Sequence, residues 1–145
     1  MERRPPVDME EFRRWRGEAD RALASARLLA RESLHNWACF SAEQGSQLAV
    51  KALLHGLGRG PWGHDLDHLG SMLSTAGVDV PEAIADAMRR LTRHYIPARY
   101  PDAHPGGQPG HHYGASDSEQ AIGDAEAIIE FVDLIWSEVG GDQGD

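Results

Sequence analysis

Hydrophobic residues recur at intervals of three and four along most of the chain, and no stretch alternates with period two. The first spacing predicts helices, and the lack of the second argues against half-buried strands. The first predicted helix runs from a cap at Asp8 to about Glu32. Glu10 and Glu11 stabilise its first turn, because negative charges are favourable at the N-terminus of a helix. Its apolar stripe consists of Phe12, Trp15, Ala19, Ala22, Ala26 and Leu29. A stripe of this kind is typical of an amphipathic helix that covers a core.

The second predicted helix, at about residues 34–55, carries a narrow strip of mostly small side chains. The strip consists of Ala38, Ala42, Gly45, Ala49 and Leu53. Small side chains allow a neighbouring helix to approach closely, so we expect this helix to be the central one. Glycines at 56, 58 and 60 and Pro61 then end the helix.

Two more helices are predicted in the middle of the chain. A short one occupies about residues 65–75 and is stopped by Gly77. A longer one begins at Pro81, because proline suits a first helical position. Pro97 is expected to end or kink this fourth helix, since its ring cannot continue the hydrogen-bond ladder.

A long segment without sustained periodicity separates the fourth helix from the last. Residues 97–117 contain four prolines and four glycines, and a loop of this length in a compact domain is usually functional or mobile. The last helix is predicted to start near Asp117 or Ser118 and to continue to about Val139. Its seam is Ile122, Ala125, Ile129, Val132, Trp136 and Val139, widened by Ile128 and Ile135.

These elements predict an all-α fold, an up-and-down bundle of four longer helices plus one short helix. One domain is expected over residues 1–139, with the long loop at 97–117 inside it and a disordered acidic tail at 140–145. The second helix carries the small-residue strip, and the wide apolar face of the last helix exceeds what one neighbour can cover. We therefore expect a homodimer.

Composition narrows the location and the partners. The 145 residues include 14 Lys and Arg against 23 Asp and Glu, a formal net charge of −9. Bulk charge therefore excludes non-specific attachment to nucleic acid, which needs concentrated cations. No apolar run approaches the roughly 20 residues that cross a bilayer, and no signal peptide is evident, so a cytoplasmic location is expected.

Cys39 is the only cysteine and is expected to be a buried small side chain. A single cysteine can form neither an internal disulfide nor a zinc ribbon.

The charges are unevenly distributed. The segment from Ala87 to Pro101 has no acid, whereas the chain from Asp117 onward has nine acids and no base. The basic residues of the first segment are Arg89, Arg90, Arg93, His94 and Arg99. A basic segment beside a flexible loop is a place to look for a phosphate-bearing ligand. The alternative is a solvated helix face, in which Asp86 pairs with Arg90 one turn away.

Arg99 and His104 lie outside the regular helix and are the candidate catalytic pair. An arginine can bind phosphate oxygens in a fork, and an imidazole can move a proton at neutral pH. Together they could cleave RNA without a metal. Arg89 and His94 have the same spacing, but on a helix their side chains would diverge. The alternative is that Arg99 ties the loop to a helix end while His104 stays in solvent.

Two histidine-containing segments are weak candidates for metal sites. His64, Asp65, Asp67 and His68 have ligand-like spacing, but a cap for the short helix explains them better because no third ligand is anchored nearby. The run from His111 to Tyr113 has the same weakness. No phosphate-binding glycine pattern is present either. The sequence therefore predicts neither a metal nor a cofactor.

Several segments in this order resemble the HEPN domain. The second helix, with the run Phe40-Ser41-Ala42-Glu43-Gln44 and the run from Leu48 to Leu54, is similar to the signature helix of that family. The likeness continues in Gly63-His64-Asp65-Leu66 and in Arg99-Tyr100-Pro101-Asp102-Ala103, and it covers roughly residues 12–136.

The resemblance implies an all-α bundle, usually a homodimer, from prokaryotic two-gene modules with a minimal nucleotidyltransferase. Many family members are metal-independent RNases with an arginine, four to six residues and a histidine, a spacing that Arg99 and His104 match. Tyr100 and Pro101 depart from that motif, and Gly106 stands where modified members carry a tyrosine.

Two functions therefore stay open. The first is a nucleotide- or partner-binding module in a toxin–antitoxin-like pair, with Arg99, Arg93, His94 and Tyr100 at the phosphate site. The second is an RNase toxin that uses Arg99 and His104. The departures from the motif and the net charge favour the first.

Overall fold

A computed structural model describes residues 7–140 of the chain, and every regular element in that range is a helix. Two short 3₁₀ turns, Pro101–Ala103 and Pro109–His112, interrupt the long loop. Five α-helices make up the bundle: α1 Met9–Arg31, α2 His35–Gly56, α3 Leu66–Thr75, α4 Glu82–Thr92 and α5 Ala115–Glu138. The all-α prediction is therefore confirmed. The predicted acidic tail, from residue 141 on, lies outside the described residues.

The start of α1 follows from its local sequence. The Asp8 carboxylate accepts a hydrogen bond of 3.1 Å from the backbone N–H of Glu11, which satisfies one of the free amides of the first turn. The helix ends at Arg31, and Ser33 takes a left-handed conformation with φ of 61° in the connection to α2. This short connection folds α2 back along α1.

Helix α2 lies at the centre of the bundle and contacts each of the other four α-helices. Its small-residue strip faces α1: a Cβ placed on Gly45 would lie 3.4 Å from the carbonyl oxygen of Ala19 and 3.4 Å from the Cβ of Ala22. The central position of α2 is thus confirmed. Because α1 of the same chain already covers this strip, a homodimer would have to form through a different surface.

Helix α5 closes the core against α1, α2 and α4. Its buried seam includes Ile128, Val132 and Trp136, and the Trp136 ring stacks on Phe12 with centroids 4.1 Å apart. The acids of α5 meet arginines of other helices, in the pairs Asp133–Arg16, Glu126–Arg27 and Asp124–Arg90. The acidic C-terminal part of the chain is therefore balanced in part by α1 and α4.

The boundaries of α4 and α5 differ from those expected. Helix α4 ends at Thr92 rather than at Pro97, because Pro97 has no N–H to donate to the carbonyl of Arg93, the residue that follows the helix. Helix α5 begins at Ala115, before Asp117. The carboxylate of Asp117 accepts a hydrogen bond of 2.8 Å from Gly114 N and caps the helix from its third residue. Pro81 precedes α4 as its cap residue instead of occupying its first position.

None of the helices within residues 7–140 is long and apolar enough to cross a membrane. Cys39 is fully buried in the core, as expected, and burial raises the pKa of its thiol to about 12. A thiol that stays protonated and inaccessible is a poor nucleophile.

Candidate functional site

Two arginines of the basic segment are occupied by ion pairs on the surface of α4. Arg90 binds the Asp124 carboxylate through two hydrogen bonds of 2.9 and 3.0 Å, while Arg89 pairs with Asp86. The predicted pairing of Asp86 with Arg90 is thus wrong, because α5 offers Arg90 a carboxylate that sequence spacing cannot reveal. Arg93 is exposed at the end of α4 and lines an open groove of about 580 Å³ beside Tyr95.

The residues that follow α4 form a series of tight turns, which we call the 93–100 turn. Backbone bonds join His94 N to Leu91 O and Arg99 N to Ile96 O. Ala98 is fully buried, and its carbonyl accepts a hydrogen bond of 2.9 Å from Nδ2 of Asn36 on α2. The turn is therefore anchored to the first turn of α2, and this fixes the backbone that carries Arg99.

The Arg99 guanidinium lies among three aromatic rings. Its Cζ is 4.3 Å from the ring centroid of Phe40, 4.5 Å from that of Tyr95 and 4.8 Å from that of Tyr100. Its Nε donates a hydrogen bond of 2.8 Å to the carbonyl of Tyr95. Within residues 7–140 no hydrogen bond or ion pair uses its two terminal nitrogens. The rings and the Nε bond thus hold a cation whose forked end can still bind an anion.

His104 is held in the loop rather than free in solvent. Its Nε2 donates a hydrogen bond of 2.7 Å to the carbonyl of Pro97, which places the proton on Nε2 and leaves Nδ1 as the unprotonated nitrogen of the neutral ring. The ring stacks on His112, with centroids 4.1 Å apart and planes 3° from parallel. No hydrogen bond joins His104 to Arg99 in the part of the chain that the structure describes. The two candidate residues therefore share one segment of the chain and are held there by different partners.

His94 faces the interior, unlike the surface cation that the sequence suggested. Its Nδ1 lies 3.0 Å from the Tyr113 hydroxyl, and only 8% of the residue is exposed. Burial, followed by the charge of Arg93, lowers the pKa of His94 to about 4. Because the ring is neutral at physiological pH, it contributes no positive charge to a phosphate site. Tyr100, in contrast, is 48% exposed beside Arg99.

Sequence reasoning did not single out Glu43, which is fully buried on α2. Its carboxylate accepts hydrogen bonds of 2.9 Å from Nε2 of Gln44 and 2.6 Å from Nε2 of Gln47. Burial raises the pKa of Glu43 to about 7, and the hydrogen bonds from Gln47 and Gln44, followed by the nearby charges of Arg99 and Lys51, oppose that rise. The sequence did carry a signal for this group: one acid and two amides lie close together in a helix that buries most of its faces.

The histidines before and within α3 turn to different aromatic rings. His64 stacks on Tyr95 at 5.5 Å, and His68 lies against Trp62 at 4.2 Å. Asp65 caps α3 by accepting a hydrogen bond of 2.9 Å from Asp67 N, as predicted. Across residues 7–140, no three metal-ligating side chains converge.

The chain is similar to a known domain family and to several proteins of known structure. Residues 12–135 match the HEPN domain family. TT1696 from Thermus thermophilus is 37% identical, with a TM-score of 0.82 over 85% of this chain and 96% of that one. ST0689, an archaeal HEPN homologue, is 30% identical, with a TM-score of 0.73 over 86% and 96% of the two chains. A HEPN domain protein (tm0613) from Thermotoga maritima is 28% identical, with a TM-score of 0.71 over 86% and 98%. A comparison with curated proteins gives no significant match.

Proposed function

The chain belongs to the HEPN domain family, and we propose that it is a nucleotide-binding module that holds a phosphate group at Arg99. One observation carries this proposal: the guanidinium is fixed by three rings, yet its terminal nitrogens have no hydrogen-bond partner among the described residues. A cation held in this way has lost much of its side-chain freedom before a ligand arrives. Less entropy is then lost on binding.

The surroundings of Arg99 suit a nucleotide better than a simple anion. Tyr100 offers a half-exposed ring beside the guanidinium, and aromatic rings bind bases by stacking. Arg89 and Arg90 are already paired with carboxylates, so no continuous basic surface extends along α4 within residues 7–140. Arg99 and the exposed Arg93 suit a small nucleotide or a short single strand, whereas a duplex needs many phosphate contacts.

The binding test uses the thymidine dinucleotide TpT, which has one phosphodiester and no 2′-hydroxyl that could be cleaved. Replacement of Arg99 by methionine is expected to weaken its binding by roughly tenfold to a hundredfold, because a charge-assisted hydrogen bond contributes about 1.5–3 kcal/mol. Arg89→Met removes the same charge from an ion-paired site and should leave the affinity within about twofold. Titration followed by amide chemical shifts measures all three proteins. Equal binding by wild type and Arg99→Met would exclude Arg99 as the anchor.

We also propose that the protein is a homodimer. Leu34, Trp37 and Ile96 are all more than two-fifths exposed, and all lie on the α2 start or the adjoining 93–100 turn. Large apolar side chains grouped in this way are characteristic of an interface. A second copy on them would place Arg99 at the edge of a cleft between protomers.

Sedimentation tests the dimer. The wild-type protein is expected to sediment at about twice 15.9 kDa at micromolar concentration. Trp37→Glu should shift it to the monomer, because a charge placed in an apolar interface is costly. Leu134→Glu introduces the same charge at an exposed position of α5 and serves as the control. A wild type that sediments as a monomer is incompatible with the dimer.

A minimal nucleotidyltransferase encoded beside this chain is the proposed protein partner, in a toxin–antitoxin-like pair. The proposal rests on the resemblance of the α2 and Arg99 segments to such modules. Co-expression of the neighbouring reading frame with this chain tests it. A stable complex in size-exclusion chromatography is the expected result, and separate elution of the two proteins contradicts it.

A second candidate function is metal-independent RNA cleavage by Arg99 and His104. The observation that favours it is the state of the His104 ring. Its Nε2–H is fixed on the Pro97 carbonyl, which leaves Nδ1 with a lone pair that can accept a proton. Loss of either side chain is therefore expected to lower the cleavage rate strongly.

A further inference from the structure

Glu43 is a fully buried carboxyl group whose hydrogen-bond partners are neutral. Gln44 and Gln47 donate to its two oxygens, and Gln47 also donates a hydrogen bond of 2.8 Å to the backbone carbonyl of His64. No arginine or lysine within residues 7–140 makes an ion pair with it. A buried carboxylate without a bonded cation is costly, so its ionised form depends on the hydrogen bonds that it accepts and on the cations nearby.

Two cations act on Glu43 through space. Arg99 approaches from the 93–100 turn, where its Cζ lies 4.3 Å from the ring centroid of Phe40, one helical turn before Glu43 on α2. Lys51 lies about two turns farther along the same helix. Both cations favour the ionised form of Glu43, as do its hydrogen bonds from Gln47 and Gln44. Burial acts in the opposite direction and has the larger effect. The segment before α3 is linked to Glu43 only through Gln47, whose Nε2 donates to both the Glu43 carboxylate and the His64 carbonyl. Arg99 is therefore the one of the two cations whose charge a ligand at the proposed phosphate site would offset.

We propose that binding of a phosphate group at Arg99 is coupled to the uptake of one proton by Glu43. The inference rests on the proposed phosphate site at Arg99. A bound anion cancels much of the Arg99 charge that keeps the carboxylate ionised, and the group then takes a proton from solvent. No other bond changes in this step.

The hydrogen bonds around Glu43 can adapt to the neutral acid. Gln47 keeps its Nε2 donation to the remaining carbonyl oxygen and to His64 O. Gln44 is only partly buried, so its amide can turn to present its oxygen to the new O–H. Protonation therefore leaves no unpaired donor in the core.

The free protein is already poised for this step. Because burial raises the pKa of Glu43 from 4.5 to about 7, both forms are populated at neutral pH. The folded state binds more protons than the unfolded state between these values, so stability is lost as the pH rises from 4.5 to about 7. Glu43→Gln, which cannot ionise, is expected to fold and to have a higher Tm than wild type at pH 8.

The experiment measures TpT affinity between pH 6 and pH 8, a range in which the phosphodiester keeps its single charge. Wild type is expected to bind roughly threefold to tenfold more tightly at pH 6 than at pH 8. Calorimetry at pH 7 in two buffers of different ionisation enthalpy should detect proton uptake on binding. Glu43→Gln should bind with little pH dependence and no proton uptake. Glu119→Gln, an exposed α5 acid, should behave as wild type.

The outcomes separate the two proposals. If wild type binds TpT but neither pH nor the Glu43→Gln change alters its affinity, the coupling is wrong and the Arg99 site stands. If wild type binds at no pH, the phosphate site fails and the coupling fails with it. The carboxyl ¹³C signal of Glu43 gives a ligand-free check: Arg99→Met should shift its titration to higher pH, and an unchanged titration contradicts the coupling.

Discussion

Replacement of Gly56 by alanine is expected to destabilise the protein by about 3 kcal/mol, near the upper end for overpacked cores. A Cβ at this position would lie 2.4 Å from Cζ3 of Trp136 and 2.8 Å from its Cη2. The ring cannot easily move, because it is 1% exposed and stacked on Phe12. The Gly56 carbonyl also accepts a hydrogen bond of 2.7 Å from Asp8 N, which restrains the backbone. Thermal unfolding should show a Tm lower by roughly 6–12 °C.

Two matched variants make this result specific. Gly17 lies on the exposed face of α1 with no atom within 4 Å of its added Cβ, so Gly17→Ala should stabilise the protein by about 0.5–1 kcal/mol. Combining Gly56→Ala with Trp136→Leu should recover part of the loss, because the smaller side chain makes room for the methyl group. A double variant that simply adds the two losses would show that the contact does not cause the destabilisation.

The helix starts that the sequence predicted correctly are those that local chemistry determines. Asp8 and Asp65 cap their helices through side-chain bonds that span two or three residues, so nothing beyond the neighbouring chain is needed to expect them. The central place of α2 could also be predicted, because a strip of small residues implies a close neighbour. Which neighbour fills it could not be predicted. The strip packs on α1 of the same chain.

The site was only partly predictable, because side chains from segments distant in sequence meet there. Arg99 stood out because it follows a proline in an acid-free segment, but its three aromatic neighbours come from α2 and from the turn itself. His94 shares the same basic segment, although its bond to Tyr113 buries the ring. The acid and two amides of α2 were a signal for Glu43, but the sequence pattern does not show which side chains approach it. Its importance arises only when the 93–100 turn brings Arg99 close to α2.

If the protein cleaves RNA, Arg99→Ala and His104→Ala should each lower the cleavage rate by roughly a hundredfold to a thousandfold. In this reaction His104 Nδ1 takes the proton of a 2′-hydroxyl, and the 2′-oxygen bonds to phosphorus as the bond to the 5′-oxygen breaks. The 5′-oxygen leaves with a proton from the imidazolium or from water, and the terminal nitrogens of Arg99 stabilise the charge that develops on the phosphoryl oxygens. Both side chains lie on the half-exposed loop, so folding should change little. The measurement is a single-turnover assay on a uridine-rich RNA, with the fold of each variant checked by circular dichroism.

Three features of the reaction distinguish this site from a contaminating nuclease. The products should end in a 2′,3′-cyclic phosphate, because the attacking oxygen is the adjacent hydroxyl. A chelator should leave the rate unchanged, since a guanidinium and an imidazole carry the chemistry. His111→Ala and Arg89→Ala remove the same side-chain types from positions without a role and should cleave as wild type does. Cleavage that survives in His104→Ala would remove that residue from the mechanism. Wild-type protein that binds TpT without cleaving RNA would leave Arg99 as a phosphate anchor alone.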